Sequence, residues 1–236
     1  MIMNLTDDTR VWRYMSFSKL VWMLQNKRLW LSNANLLGDK WELMPLGQQL
    51  NSHINKRPSS QSAEDATFEL AEKVKLLRKN TYINCWTASE HESHALWKIF
   101  CPSSEGVAIQ TTLGRLKKSI GLPIVPVSYS SHDAVEPSPD PINLVLQKRP
   151  MFEYEQEVRI VLVHDYSDSQ QSNRQTIGVE IDWDPEIHLE MIWVHPEADF
   201  WFMDAVSKLV TLMAPKLSHG STPLVAWSKM NAGLPF

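Results

Sequence analysis

Short apolar segments that alternate with amphipathic helices constrain the fold of this 236-residue chain more than any other feature. In the segments predicted as strands, apolar residues alternate with polar ones or run together, whereas in the helices they recur at helical spacing. The predicted strands are 11–16, 28–32, 81–87, 106–112, 124–129, 152–163, 177–181, 191–194 and 224–227, and the main predicted helices are 17–26, 63–79, 92–100, 113–120 and 198–212. Because few helices have the regular spacing of crossover connections, the pattern predicts an α+β fold. We expect a single domain over residues 1–236, with a mixed, mostly antiparallel sheet and flanking helices.

Composition and charge narrow the classes of function. A formal net charge of -4 and a pI of about 6.1 argue against a protein that holds nucleic acid mainly through a basic surface. Short basic runs such as Lys148–Arg149 are more typical of solvated faces. The two cysteines, Cys85 and Cys101, lack the spacing of a disulfide framework or a zinc site. His91 and His94 have no third ligand at a sensible spacing, so no metal is expected. No signal core or bilayer-length apolar run is visible, which favours a cytoplasmic protein without a membrane partner.

The segment Phe152–Val163 is predicted to be a strand that carries ionisable side chains on one face. Alternation along an extended strand places Glu153, Glu155, Glu157 and Arg159 on that face. The aliphatic run after Arg159 predicts that the strand enters a buried sheet, where charges are costly. Two interpretations stay open: a functional site, or a salt-bridge ladder in which Arg159 neutralises its acidic neighbours.

Two early segments offer polar groups that could meet this strand. Arg13 lies inside the first predicted strand, where a guanidinium can clamp a phosphate or a carboxylate, although an ordinary surface position fits equally well. Ser32 and Asn33 end the second strand and lead into a polar loop with Asp39 and Glu42. Loops at strand ends often hold binding groups, and the alternative for Asp39 is a simple turn.

A third segment joins a strand to a helix. Trp86 and Thr87 end a predicted strand, and Glu92 and Ser93 open the helix that follows. The ordinary explanation of these polar residues is that Ser89 or Glu92 caps the N-terminus of the helix. No GxSxG, Walker-type or GxGxxG pattern occurs, so hydrolase, P-loop and dinucleotide-fold functions lack support. A nuclease with Mg²⁺ on clustered acids is a further alternative, but no other ligands are placed for it.

Seven short segments, taken in order along the chain, form one larger pattern. They are Arg13–Phe17, Leu29–Asn33, Asp39 with Glu42, Cys85–Thr87, Glu92–Ser93 with Leu96–Trp97, Gly106–Ile109 and Tyr154–Arg159. This pattern resembles a bacterial family of uncharacterised domains, domain of unknown function twenty-nine seventy-one, over nearly the whole chain. The chain departs from the family pattern at Gly38 and Lys40, where the family has Asn and Pro.

The layout of these segments is in turn similar to that of ADP-ribosyltransferases. The resemblance implies an ADP-ribosyltransferase-like fold and an enzyme that consumes NAD as a substrate. It further implies a toxin or anti-phage effector that modifies nucleic acid or protein, with an antitoxin or other regulatory protein as a partner.

The same resemblance implies roles for the ionisable strand. Glu157 would be catalytic and would stabilise the oxocarbenium-like ribose that forms as nicotinamide leaves. Glu155 would activate the acceptor as a general base, and Arg159 would keep both carboxylates ionised. Which of the two glutamates is catalytic stays open.

Binding of NAD is assigned by resemblance to residues outside that strand. Arg13 would hold the phosphates, and Tyr14 or Trp86 would stack on nicotinamide or adenine, unless both aromatic rings pack in the core. The rest of the predicted binding set is Ser32, Asn33 and Thr87. The alternative function is a non-catalytic binding module, in which Arg13 and the Glu155, Glu157 and Arg159 side chains form a structural ion-pair network.

Overall fold

A computed structural model describes residues 5–39, 55, 58, 62–130, 142–164, 177–216 and 224–231. Strands β1 to β11 of this part of the chain are Arg10–Ser16, Arg28–Asn33, Thr81–Ala88, Gly106–Thr112, Ile124–Pro126, Ser128–Tyr129, Gln147–Lys148, Glu157–Val163, Gly178–Asp182, Met191–Val194 and Val225–Trp227. Helices α1 to α7 are Phe17–Asn26, Ala63–Asn80, His94–Phe100, Leu113–Ile120, Ile142–Val145, Pro185–His188 and Phe200–Met213. Short 3-10 helices span Ala34–Leu36, Pro150–Glu155 and Lys229–Asn231.

The described residues fall into two compact units. The first unit lies within Leu31–Asn84 and Leu122–Val179, and the second lies within Asn4–Trp30, Cys85–Gly121 and Glu180–Phe236. The division falls inside β2, β3 and β9. The expectation of one domain over residues 1–236 stays a prediction.

In the second unit, strand β4 is flanked by two antiparallel neighbours. Ile109 of β4 lies opposite Arg13 of β1 on one side and opposite Ile192 of β10 on the other. Strand β10 pairs in parallel with β11, and β1 pairs antiparallel with the end of β3. The predicted α+β fold with a mixed, mostly antiparallel sheet and helices is therefore confirmed.

Aromatic side chains form much of the core of this second unit. One buried cluster of this unit consists of Trp12, Tyr14, Leu96, Trp97, Cys101, Ala108 and Trp193. Helix α3 contributes Leu96 and Trp97, the two buried positions of the helix. Ser93 begins the helix by accepting the N–H of Leu96 on its side-chain oxygen. The predicted capping by Ser89 or Glu92 is therefore wrong, and the helix begins at His94.

In the first unit, strand pairing places the acidic segment. Strand β2 pairs antiparallel with β3, and β5 pairs antiparallel with β8, so that Val125 lies opposite Arg159. Strands β6 and β7 form a short parallel pair in which Tyr129 lies opposite Lys148. The predicted single strand over 124–129 is thus two strands that separate at Val127.

Several local predictions match the structure closely. Helices α1 and α4 and strands β4 and β10 have the predicted bounds, and Gly121 ends α4 with a left-handed φ of 62°. Lys40 and Glu42 lie outside the described residues. Within the described residues, no helix is both long enough and apolar enough to cross a membrane.

Candidate functional site

The chain turns immediately before β8, and this turn changes the predicted geometry of the acidic segment. Pro150–Glu155 form a 3-10 helix, Gln156 has a left-handed φ of 41°, and the strand begins only at Glu157. Proline near a helix start fixes φ at a helical value, which favours a helical turn over a strand here. The predicted strand is therefore wrong before Glu157, and Glu153 and Glu155 do not share a strand face with it.

Glu157 and Arg159 do share one face of β8, and they form a buried ion pair. The Nε of Arg159 donates to Oε1 of Glu157 at 2.8 Å, and its Nη2 donates to Oε2 at 2.9 Å. Glu157 is 3% exposed and Arg159 is 0% exposed. The Nη1 of Arg159 donates to the carbonyl of Val145. Because the contact is bidentate, the guanidinium fixes the orientation of the carboxylate as well as its charge.

Lys148 joins both glutamates. Its ammonium group donates to Oε2 of Glu155 at 2.5 Å and to Oε2 of Glu157 at 3.2 Å. The side chains of Lys148 and Glu155 are only 10% and 15% exposed. All three predicted catalytic residues therefore meet in one ion-pair cluster, defined here as Lys148, Glu155, Glu157 and Arg159.

Tyr129 contacts the backbone of this cluster, and sequence reasoning missed it. Its hydroxyl oxygen accepts the backbone N–H of Glu157 at 2.7 Å across 28 residues. Burial raises the pKa of the Tyr129 hydroxyl above its ordinary value, and the negative charges of Glu157 and Glu155 add to the rise. The phenol therefore keeps its proton at neutral pH. No local pattern connects Tyr129 with β8, because the two segments meet only in the folded unit.

The other member of the predicted basic run also pairs with an acid. The Nε and Nη2 of Arg149 donate to the two carboxylate oxygens of Asp39 at 3.1 and 2.9 Å. Lys148 and Arg149 both lie against Phe152, at 5.0 and 5.5 Å from the ring centroid. The interpretation of Lys148–Arg149 as a solvated basic face is therefore wrong, since carboxylates in the same unit match both charges.

Ser32 and Asn33 also belong to the first unit. The Oδ1 of Asn33 accepts the N–H of Asn35 at 3.0 Å, and its Nδ2 donates to the carbonyl of Lys79 at 2.8 Å. Ser32 lies opposite Ile83 in the β2–β3 ladder. Asn33 thus begins the 3-10 helix that follows, and a role of either residue in binding NAD stays a prediction.

The remaining candidates belong to the second unit, where the strand register separates them by face. The antiparallel pairing of β1 with β3 places Trp12 opposite Thr87. Because side chains alternate along a strand, Tyr14 and Thr87 lie on the face of Trp12, and Arg13 and Trp86 lie on the opposite face. These four candidates therefore do not line one surface of this sheet.

The residues on the two faces also have different contacts. The Nη1 of Arg13 donates to the carbonyl of Cys85 at 2.9 Å. The hydroxyl oxygen of Tyr14 accepts the N–H of Ser93 at 2.8 Å, and its ring packs edge-on against Trp97. Burial raises the pKa of Tyr14 above its ordinary value. Both Tyr14 and Trp86 are buried, as core packing of aromatic rings predicts.

No group of three or more His, Cys, Asp and Glu side chains among the residues that the structure describes is placed to hold a metal ion.

Similarity of this chain to known proteins is low. No protein-family model matches the chain, so the resemblance to domain of unknown function twenty-nine seventy-one is not confirmed. No curated protein matches it either. A solved structure of DarT from Thermus sp. 2.9, in complex with ADP-ribosylated single-stranded DNA, is similar at 12% identity with a TM-score of 0.40. The alignment covers 97% of this chain and 98% of that one.

Proposed function

We propose that this chain is an NAD-dependent ADP-ribosyltransferase and that Glu157 is its catalytic residue. The observation that carries the proposal is the ion-pair cluster, in which two carboxylates and two cations are held at side-chain exposures of 15% or less. Removing charges from water costs free energy even when they are paired. Buried groups of interacting charges occur preferentially at functional sites.

The cluster supports transfer of ADP-ribose with loss of nicotinamide. As the bond between ribose and nicotinamide breaks, positive charge develops on the sugar, and the oriented carboxylate of Glu157 stabilises it. The carboxylate of Glu155 accepts the proton of the attacking acceptor as the new bond to the ribose forms. Arg159 and Lys148 favour the ionised form of both carboxylates, because opposite charges lie within hydrogen-bond distance.

Binding of NAD is proposed on the chemistry of the side chains and on the resemblance in sequence. A guanidinium suits phosphate oxygens, so Arg13 is the proposed phosphate ligand. Trp86 lies on the same face of the sheet but is 2% exposed, so stacking of its ring on NAD stays a prediction from the sequence. Tyr14 and Thr87 lie on the opposite face of that sheet, so they are not proposed to contact the same NAD molecule. Contacts of Ser32 and Asn33 with NAD stay predictions from the sequence. An acceptor in nucleic acid or protein, a role as a toxin or anti-phage effector, an antitoxin partner and a cytoplasmic location stay predictions from the sequence.

A second function is favoured by the burial of the cluster itself. The carboxylate of Glu157 is 3% exposed and lies against a guanidinium that is 0% exposed. A non-catalytic binding module explains this arrangement as a structural network beneath a recognition surface. The two functions therefore differ in whether Glu157 contacts a ligand or only supports the fold.

Transfer of label from NAD separates the two functions. The purified protein and its Glu157→Gln variant are incubated with NAD labelled in the adenylate part, together with RNA, single-stranded DNA or mixed protein. Glutamine keeps the shape of the side chain and removes its charge. We expect the unchanged protein to label one class of acceptor, and the variant to lose about a hundredfold or more of the rate, as when a charge-stabilising group is removed.

The matched control is Glu153→Gln, which removes the charge of an exposed glutamate in the 3-10 helix just before β8. This variant should retain full activity. If the folded, unchanged protein neither transfers label nor releases nicotinamide, the enzyme assignment fails and the binding module becomes the better function. Full transfer by Glu157→Gln would instead remove Glu157 from the catalytic role.

A further inference from the structure

At the start of β8, the backbone of Glu157 is held from both sides by one segment of the first unit. Its N–H donates to the hydroxyl oxygen of Tyr129 at 2.7 Å, and its carbonyl accepts the N–H of Val127 at 2.9 Å. The residue before it, Gln156, has a φ of 41°, a conformation that residues other than glycine rarely adopt. A hydrogen bond to the side chain of Tyr129 therefore holds the junction between the 3-10 helix and the strand.

Tyr129 is itself anchored beside the lysine of the ion-pair cluster. It lies opposite Lys148 in the parallel β6–β7 pair. On either side of it, the N–H of Ser128 donates to the carbonyl of Leu146 at 2.7 Å, and that of Ser130 donates to the carbonyl of Lys148 at 3.2 Å. The phenol thus connects the strand that carries Lys148 with the start of the strand that carries Glu157.

We propose that Tyr129 is a positioning residue for the Glu155 and Glu157 carboxylates. The inference rests on the proposed function. The two glutamates lie on either side of the turn at Gln156, so a backbone change at this junction moves one carboxylate relative to the other. Transfer needs one carboxylate at the ribose and the other at the acceptor, and a misplacement of about 1 Å can lower a rate about a hundredfold.

The test removes only the hydroxyl group, in Tyr129→Phe. We expect kcat for transfer to fall by roughly tenfold or more, while KM for NAD and the number of NAD sites per chain stay unchanged, because the variant alters alignment and not binding. We also expect the backbone amide of Glu157 to exchange with solvent faster in NMR hydrogen exchange, since it loses its acceptor. Tyr154→Phe removes the hydroxyl of a 47% exposed tyrosine from the 3-10 helix, and should change none of these quantities.

The outcomes separate this inference from the proposed function. A wild-type kcat in Tyr129→Phe, or an unchanged exchange rate at Glu157, overturns the positioning role. If the unchanged protein shows no transfer, the proposed function fails, and the exchange rate at Glu157 alone decides whether Tyr129 holds this junction. A lower number of NAD molecules bound per chain in Tyr129→Phe would also overturn the positioning role, because it would show general damage to the fold.

Discussion

Replacing Arg159 by methionine should destabilise the protein strongly, because the change removes the main cationic partner of a buried carboxylate. Arg159 donates two bonds to Glu157, at 2.8 and 2.9 Å, and a further one to the carbonyl of Val145. Breaking a buried ion pair from one side costs about 3 to 5 kcal/mol. Lys148 remains 3.2 Å from the same carboxylate and compensates part of the loss. We therefore expect the free energy of unfolding to fall by about 3 kcal/mol, the lower end of that range.

The assay is urea denaturation followed by tryptophan fluorescence, on the unchanged protein, Arg159→Met, Glu157→Leu and the double variant. The double variant removes both charges, and Lys148 keeps Glu155 as its partner. Buried ion pairs replaced by apolar side chains of similar volume are often neutral in stability. The double variant should therefore be more stable than the sum of the single losses predicts, with a coupling of about 1 to 3 kcal/mol.

Arg28→Met is the matched control for the loss of a strand arginine. Arg28 pairs with Asp182 at 2.6 Å, but the two side chains are 42% and 88% exposed. Such surface pairs contribute about 0 to 1 kcal/mol. If Arg159→Met lies within about 0.5 kcal/mol of the unchanged protein, or shows no coupling with Glu157→Leu, the reasoning from burial is refuted.

Two further predictions concern the second unit. Glu92→Gln should lower the free energy of unfolding by about 2 kcal/mol, measured by thermal unfolding, because the carboxylate accepts bonds from Trp97, Ser228 and Lys229 and an amide accepts fewer. For the 3% exposed His195, burial lowers the pKa below its ordinary value of 6.5. As the pH falls, His195 is protonated in the unfolded chain before it is protonated in the folded chain. The free energy of unfolding is therefore greatest above pH 6.5 and decreases as the pH drops from 6.5 toward the lowered pKa of the folded state. In urea denaturation, His195→Gln should reduce this loss; an unchanged loss would contradict the assignment.

The elements that depend on local pattern were predictable from the sequence. Helix α1 has the predicted bounds because Leu20, Met23 and Leu24 recur on one helical face. The start of α2 was equally visible, since the Oγ of Ser62 accepts the N–H of Asp65, as expected for a capping serine. In these places, neighbouring residues supply the whole signal.

The geometry of the ion-pair cluster was predictable only in part. Alternation placed Glu157 and Arg159 correctly, because both lie within β8. The same alternation placed Glu155 wrongly on a strand, because Glu155 ends a 3-10 helix and the left-handed Gln156 follows it. Charges at every second position fit this turn as well as a strand. Lys148 and Tyr129 reach the cluster through strand pairing at a distance, and no local spacing in the sequence encodes that pairing.

The contacts of Glu157 indicate how a buried carboxylate can still serve a reaction. For Glu157 to contact a ribose, one of its present partners has to move. Arg159 is 0% exposed and holds both carboxylate oxygens, whereas Lys148 contacts one of them at 3.2 Å and has a closer contact with Glu155. A lysine is a point charge on a flexible stem, so Lys148 can leave Glu157 and stay paired with Glu155. If the chain is the proposed transferase, the Lys148–Glu157 contact therefore opens while Arg159 keeps the carboxylate of Glu157 oriented; if it is the binding module, both contacts persist.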